Sequence, residues 1–110
     1  MQNKMNVFEG PAALRDFLDP GKLPYLPLVE VPAELNPFAR DNVRIFAKLM
    51  NMLPLGNVKA VPAFNMIREK YKSGELDGVK RIVENSSGNT VSAMAMVARQ
   101  FGLETTQSYV

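Results

Sequence analysis

Two stretches of helical periodicity, each preceded by a short strand-like run and each stopped by a glycine, constrain this chain more than any other feature. Residues 59–73 set Ala63, Phe64 and Ile67 at helical spacing, with Pro62 tolerable only in the first turn and Gly74 as the stop. Residues 90–101 (TVSAMAMVARQF) are apolar on most faces, which predicts a helix buried on more than one side, and Gly102 ends it. Val43–Met50 and Arg81–Glu84 read as the strands that precede these helices. Leu28–Val31, bracketed by Pro27 and Pro32, reads as an edge or terminal strand, and residues 104–110 as a further strand. Strand, helix, strand, helix, strand is the order of a parallel α/β sheet. The expected fold is therefore α/β, a three-layer open parallel sheet with flanking helices.

At 110 residues the chain has room for one domain. Residues 1–26 read as an N-terminal extension, in which Ala12–Leu18 forms a short helix with Leu14, Phe17 and Leu18 on one side. Residues 27–110 read as the α/β domain itself. Residues 33–42 form a loop with Asn36-Pro37 as its turn signal, and Arg68 to Lys72 form the solvated end of the first long helix. Phe46, Phe64 and Phe101 fall on expected inward faces. Met50, Met52, Met66, Met94 and Met96 read as core fillers rather than as a soft metal site.

With no Cys and no His, a disulfide framework, a Cys-based zinc site and a Cys or Ser–His nucleophile are excluded within these residues. No metal site is expected. Any chemistry falls to Lys, carboxylates, hydroxyls, amides or a cofactor. The net charge of +2 comes from scattered basic residues, which argues against nucleic acid as a partner. No apolar run suits a membrane span or a signal peptide, so a soluble, cytoplasmic protein without a membrane partner is expected.

Two segments could carry chemistry. Lys59 follows a strand and opens a helix, where the positive end of the helix dipole disfavours a cation. That field, combined with burial, lowers a lysine's pKa, and the neutral amine is the form that attacks a carbonyl. The alternative is a solvated lysine whose side chain swings away. The second segment, Ser86-Ser87-Gly88-Asn89-Thr90, lies between a strand end and a helix start. Hydroxyls, an amide and free backbone N–H groups collect there and favour a carboxylate or phosphate, with Gly88 allowing close approach. The alternative is an ordinary helix cap. On the expected parallel sheet both segments sit at C-terminal strand ends, the edge along which open α/β sheets bind ligands.

The order and spacing of these segments resemble the cysteine synthase and cystathionine β-synthase family of fold-type II pyridoxal-phosphate enzymes. Residues 27–31 (PLVEV) resemble its opening TPLV-x-L strand, and residues 43–59 (VRIFAKLMNMLPLGNVK) its KLE-x-x-NP-x-GSVKDR segment. Residues 62–67 look like the helix that follows, residues 83–90 (VENSSGNT) are similar to its E-x-TSGNTG loop, and residues 93–102 continue like its next helix. The resemblance implies pyridoxal 5'-phosphate as cofactor, with Lys59 as the Schiff-base lysine and catalytic base. It implies that Asn89 binds the cofactor's ring oxygen and that Ser86, Ser87, Gly88 and Thr90 grip the carboxylate of a small amino-acid substrate. The implied reaction is β-replacement on an activated serine, a transferase or lyase activity of amino-acid biosynthesis; threonine synthases share a similar loop. Ala60-Val61 stand where the family keeps Asp-Arg, Met50 and Leu53 replace its Glu and Asn, and Val91 replaces the last Gly of the loop motif. The family's Gly-rich phosphate loop has no counterpart here, so the resemblance covers an N-terminal portion, by itself expected to be inactive. Its expected partner is the remaining C-terminal half of such an enzyme. A non-catalytic chain that associates with itself, as a homodimer, is the rival expectation.

Overall fold

A computed structural model of the chain describes residues 5–108. In chain order the elements are α1 (Ala13–Leu18), β1 (Leu28–Glu30), β2 (Phe46–Lys48), α2 (Ala60–Lys72), β3 (Arg81–Asn85), α3 (Gly88–Gln100) and β4 (Glu104–Ser108). Short 3-10 turns occupy Ala39–Asp41, Met50–Met52 and Pro54–Gly56. Expected residues 109 and 110 of the last strand lie outside the described residues.

The strands form two separate pairs. β3 and β4 run parallel, with Arg81 opposite Glu104 and Asn85 opposite Ser108, and α3 is the crossover between them. β1 and β2 run antiparallel, with Leu28 opposite Lys48 and Glu30 opposite Phe46. A single parallel sheet holding all the strands is therefore not what these residues form. The reason is the connection: a parallel pair needs a crossover, and residues 31–45 supply a loop that turns the chain back on itself. Bonds from the Val31 N–H to the Ile45 carbonyl and from the Leu49 N–H to the Pro27 carbonyl extend the ladder at both ends. Of the strand expected over 43–50, only Phe46–Lys48 is formed as such, because the chain enters a 3-10 turn at Met50.

The core lies between α2, α3 and the β3–β4 pair. Ala63, Phe64 and Ile67 from α2 meet Ala93, Met94, Val97 and Ala98 from α3, with Leu18 and Leu103 completing the cluster. As expected, α3 is buried on more than one side; Val91, Ala93, Val97 and Ala98 have no exposed surface. Gly102 (φ +75°) closes α3 in the left-handed conformation, which lets its N–H reach the Arg99 carbonyl and the Leu103 N–H reach the Ala98 carbonyl. Phe101, just beyond α3, meets Phe64 and Tyr71 edge to face at 5.8 and 5.1 Å. The end of α3 thus touches α2 at both Phe64 and Tyr71.

Several expectations about single side chains are corrected. Phe46 is not inward: it is exposed, in a ribbon outside the core, where the Arg44 guanidinium covers its ring at 4.8 Å. Of the methionines, Met94 is buried while Met52, Met66 and Met96 are exposed. Arg68 is not merely solvated. It reaches Asp19 and lies over the Phe64 ring, tying α2 to the segment after α1. That segment before residue 27 reaches the core through Leu18, 2% exposed. Arg15 donates two hydrogen bonds to the Gln100 carbonyl (2.7 and 3.1 Å) and stacks on Phe101.

Candidate cofactor site

Lys59 is held by the turn before it. Leu55 (φ +66°) and Gly56 (φ +65°) are both left-handed, a conformation that costs a branched L-residue about 1–2 kcal/mol. The chain then straightens at Asn57, whose side-chain oxygen accepts the Lys59 N–H at 2.8 Å. This Asx-type bond replaces a side-chain cap from Lys59 itself, which stands at the N-cap position of α2 and makes none. Beneath it Ala60 is buried at 3% and anchors the first turn. Lys59 is exposed, so the burial half of the sequence argument about its amine is not met. Its ammonium group has no partner among the described residues. The role of Asn57 was missed from sequence, although an Asn two residues before a helix start is itself a turn signal.

The second segment follows the end of β3. Ser87 is the N-cap residue of α3 (φ −71°, ψ 161°) and its hydroxyl makes no capping bond. The side chains of Ser86, Ser87, Asn89 and Thr90 make no hydrogen bonds among the described residues. Ser87, Gly88 and Asn89 are exposed; Ser86 and Thr90 are half-buried. A Cβ built on Gly88 would meet nothing within 4 Å, so space in front of this turn is open. The simple cap reading is thereby weakened: this is a helix start whose polar groups are unspent, with its first-turn amides available to an anion.

Lys59 thus stands at the start of α2 and the donor turn follows β3 at the start of α3, and the two helices pack on each other through the core. The cavity of about 440 Å³ lies elsewhere. It is lined by Leu23, Tyr25, Lys48, Met50, Leu53 and Val61 among others, and by none of the predicted site residues. Three of its lining residues, Met50, Leu53 and Val61, are departures from the family pattern; a fourth departure, Ala60, is buried.

The donor set suits an aldehyde-bearing cofactor with polar ring substituents: one free primary amine, and a turn of unspent hydroxyl, amide and N–H donors. Across residues 24–107 the sequence matches the family model described as pyridoxal-phosphate dependent enzyme. The chain belongs to that family. Its members depend on pyridoxal phosphate, and the matched stretch contains both Lys59 and the Ser86–Thr90 turn. The chain is similar to a cysteine synthase of Aquifex aeolicus, 38% identical over 77 residues, which is 70% of this chain and 24% of that protein. It is also similar to an N-(2-amino-2-carboxyethyl)-L-glutamate synthase of Cupriavidus metallidurans, 35% identical over 69 residues, 63% of this chain and 20% of that one. A cysteine synthase of Helicobacter pylori is 38% identical over 64 residues, 58% of this chain and 21% of that one. The chain thus spans about a quarter or less of these relatives. No helix among the described residues is long and apolar enough to cross a membrane, and none of their His, Cys, Asp and Glu side chains form a group that could hold a metal ion.

Proposed function

We propose that this chain is the cofactor-lysine portion of a cysteine synthase-like enzyme, which replaces the β-substituent of an activated serine. The observation that carries the reading is the family match across residues 24–107, which takes in an amine free among the described residues and a turn of unspent donors, each at the start of a long helix. The β3–α3–β4 unit is read as the start of the open parallel sheet of that fold.

Each residue has a role set by its chemistry. Lys59 would hold the cofactor through its amine, and the same amine would take and return the proton of the substrate α-carbon. Asn89 donates its amide to the cofactor's ring oxygen. The Ser86, Ser87 and Thr90 hydroxyls, with the N–H groups of the first turn of α3, bind the substrate carboxylate. Gly88 keeps the approach open. When bound, the cofactor supplies an electron sink for charge at the α-carbon. A small amino acid is the substrate, and the remaining length of a full enzyme is the partner that closes the site.

The test is direct. The chain is mixed with pyridoxal phosphate, its absorption is read near the visible edge, and the mixture is then reduced with borohydride and mapped by mass spectrometry. An imine band, and a reduced adduct on Lys59 that is absent from Lys59→Ala, are expected. Adducts spread evenly over the exposed lysines, with equal spectra for both proteins, would overturn the assignment.

A further inference from the structure

The turn before Lys59 keeps a strained residue that the core does not fully cover. Leu55 (φ +66°) and Gly56 (φ +65°) are both left-handed, a region that disfavours a branched L-residue. Leu55 is 37% exposed, so full burial does not offset that cost. The residues around the turn are anchored: Leu53 and Pro54 are buried before it, and Ala60 is buried after it. Backbone strain of this kind persists where the surroundings hold it, and it gathers at sites that need a set geometry.

One side chain closes this turn. Asn57 Oδ1 accepts the Lys59 N–H at 2.8 Å, and Asn57 Nδ2 donates to the Leu55 carbonyl at 3.4 Å. A single amide therefore ties the strained residue to the lysine. On the far side, the Lys59 carbonyl accepts the Ala63 N–H at 3.1 Å and so joins the α2 ladder. Both backbone groups of Lys59 are thus fastened. Its φ of −72° and ψ of −13° then limit the rotamers open to the side chain. The amine at the tip has no partner among the described residues, whereas Lys22 pairs with Asp16, Lys70 with Glu75 and Lys72 with Glu69. Lys59 is a free amine on a fixed stem.

We propose that Asn57 is a positioning residue: it sets the stem of Lys59 and so makes that lysine, among the exposed ones, the preferred partner of an aldehyde. The proposal rests on the reading of Lys59 as the cofactor lysine. An amine whose stem is already set loses less freedom on engaging a carbonyl than one on a loose stem. The rival role for Asn57 is that of a helix cap alone, which contributes stability and nothing more. The two roles differ in what they change. A cap alters the unfolding midpoint, whereas a positioning residue alters which lysine reacts.

The experiment adds pyridoxal phosphate, in less than molar amount, to the folded chain. Borohydride traps the adducts, and mass spectrometry apportions them among the lysines. Amide hydrogen exchange at Lys59 is measured separately, without cofactor. Wild type is expected to carry the adduct chiefly on Lys59 and to exchange the Lys59 N–H slowly. Asn57→Ala removes the acceptor, so that exchange should quicken. The ratio of adduct on Lys59 to adduct on the other lysines should fall about two- to tenfold, the factor one net hydrogen bond supplies. Asn57→Ser offers a hydroxyl acceptor at the same spacing and should restore both readings. An undiminished ratio in Asn57→Ala, or a loss that Asn57→Ser does not restore, overturns the proposal and leaves Lys59 as the cofactor lysine. Adducts spread evenly over the lysines of wild type overturn both readings together. Loss of the fold in Asn57→Ala, seen by circular dichroism, also overturns the proposal, since Asn57 then serves structure alone.

Discussion

Single residues divide between those that hold the body and those that stand at its helix starts. Phe64 is 2% exposed and touches Phe101 and the Arg68 guanidinium. Phe64→Ala is expected to cost about 3–5 kcal/mol, read as a fall in the urea midpoint. Residues such as Phe64 were legible because helical spacing repeats with packing. Phe46 was not: it sits in an alternating run, but its ribbon has no core behind it, and Arg44 shields the ring instead. Lys59 and the Ser86–Thr90 turn could be singled out as candidates, because amines, hydroxyls and amides at helix starts are recognisable without knowing what packs around them. Asn57 was not singled out, since its bond to the Lys59 N–H depends on the left-handed pair at Leu55 and Gly56, and a leucine gives no sequence hint of that conformation.

At the scale of elements, both long helices and all four strands were foreseeable within a few residues, and the Gly74 and Gly102 stops fell where expected. Strand partnership was harder. Alternation marks a strand but does not name its neighbour, and the decisive fact was the missing crossover between β1 and β2. That ribbon is fastened by the Glu30–Arg44 pair, two hydrogen bonds at 2.7 and 2.9 Å. The bonds hold the Glu30 carboxyl below its ordinary range and raise the Arg44 guanidinium. A carboxylate depressed in the folded state contributes above its unfolded pKa, and the contribution is lost as pH falls through the folded value. Carboxyl NMR titration should therefore place the Glu30 midpoint below the ordinary value, and Arg44→Ala should move it upward. An unchanged midpoint would show that the fastening is absent in solution.

For the molecule as a whole, the segment before residue 27 is structural. The family match begins at residue 24, yet Leu18 lies in the same cluster as Phe64 and Val97. Leu18→Ala is expected to lower stability by about 2–5 kcal/mol, measured by urea unfolding. A change of a few tenths would mean that α1 is only laid against the body. Sequence reading found the α1 helix but not its docking place, because Arg15 caps a carbonyl 85 residues away. Contacts of that span leave no local periodic trace.

That long reach bears on how the chain is made. Arg15 leaves the ribosome 85 residues ahead of the Gln100 carbonyl it binds. Until that carbonyl emerges, the two hydrogen bonds that fasten α1 to the end of α3 cannot form. The final seating of α1 is therefore a late event in the making of this stretch of polypeptide.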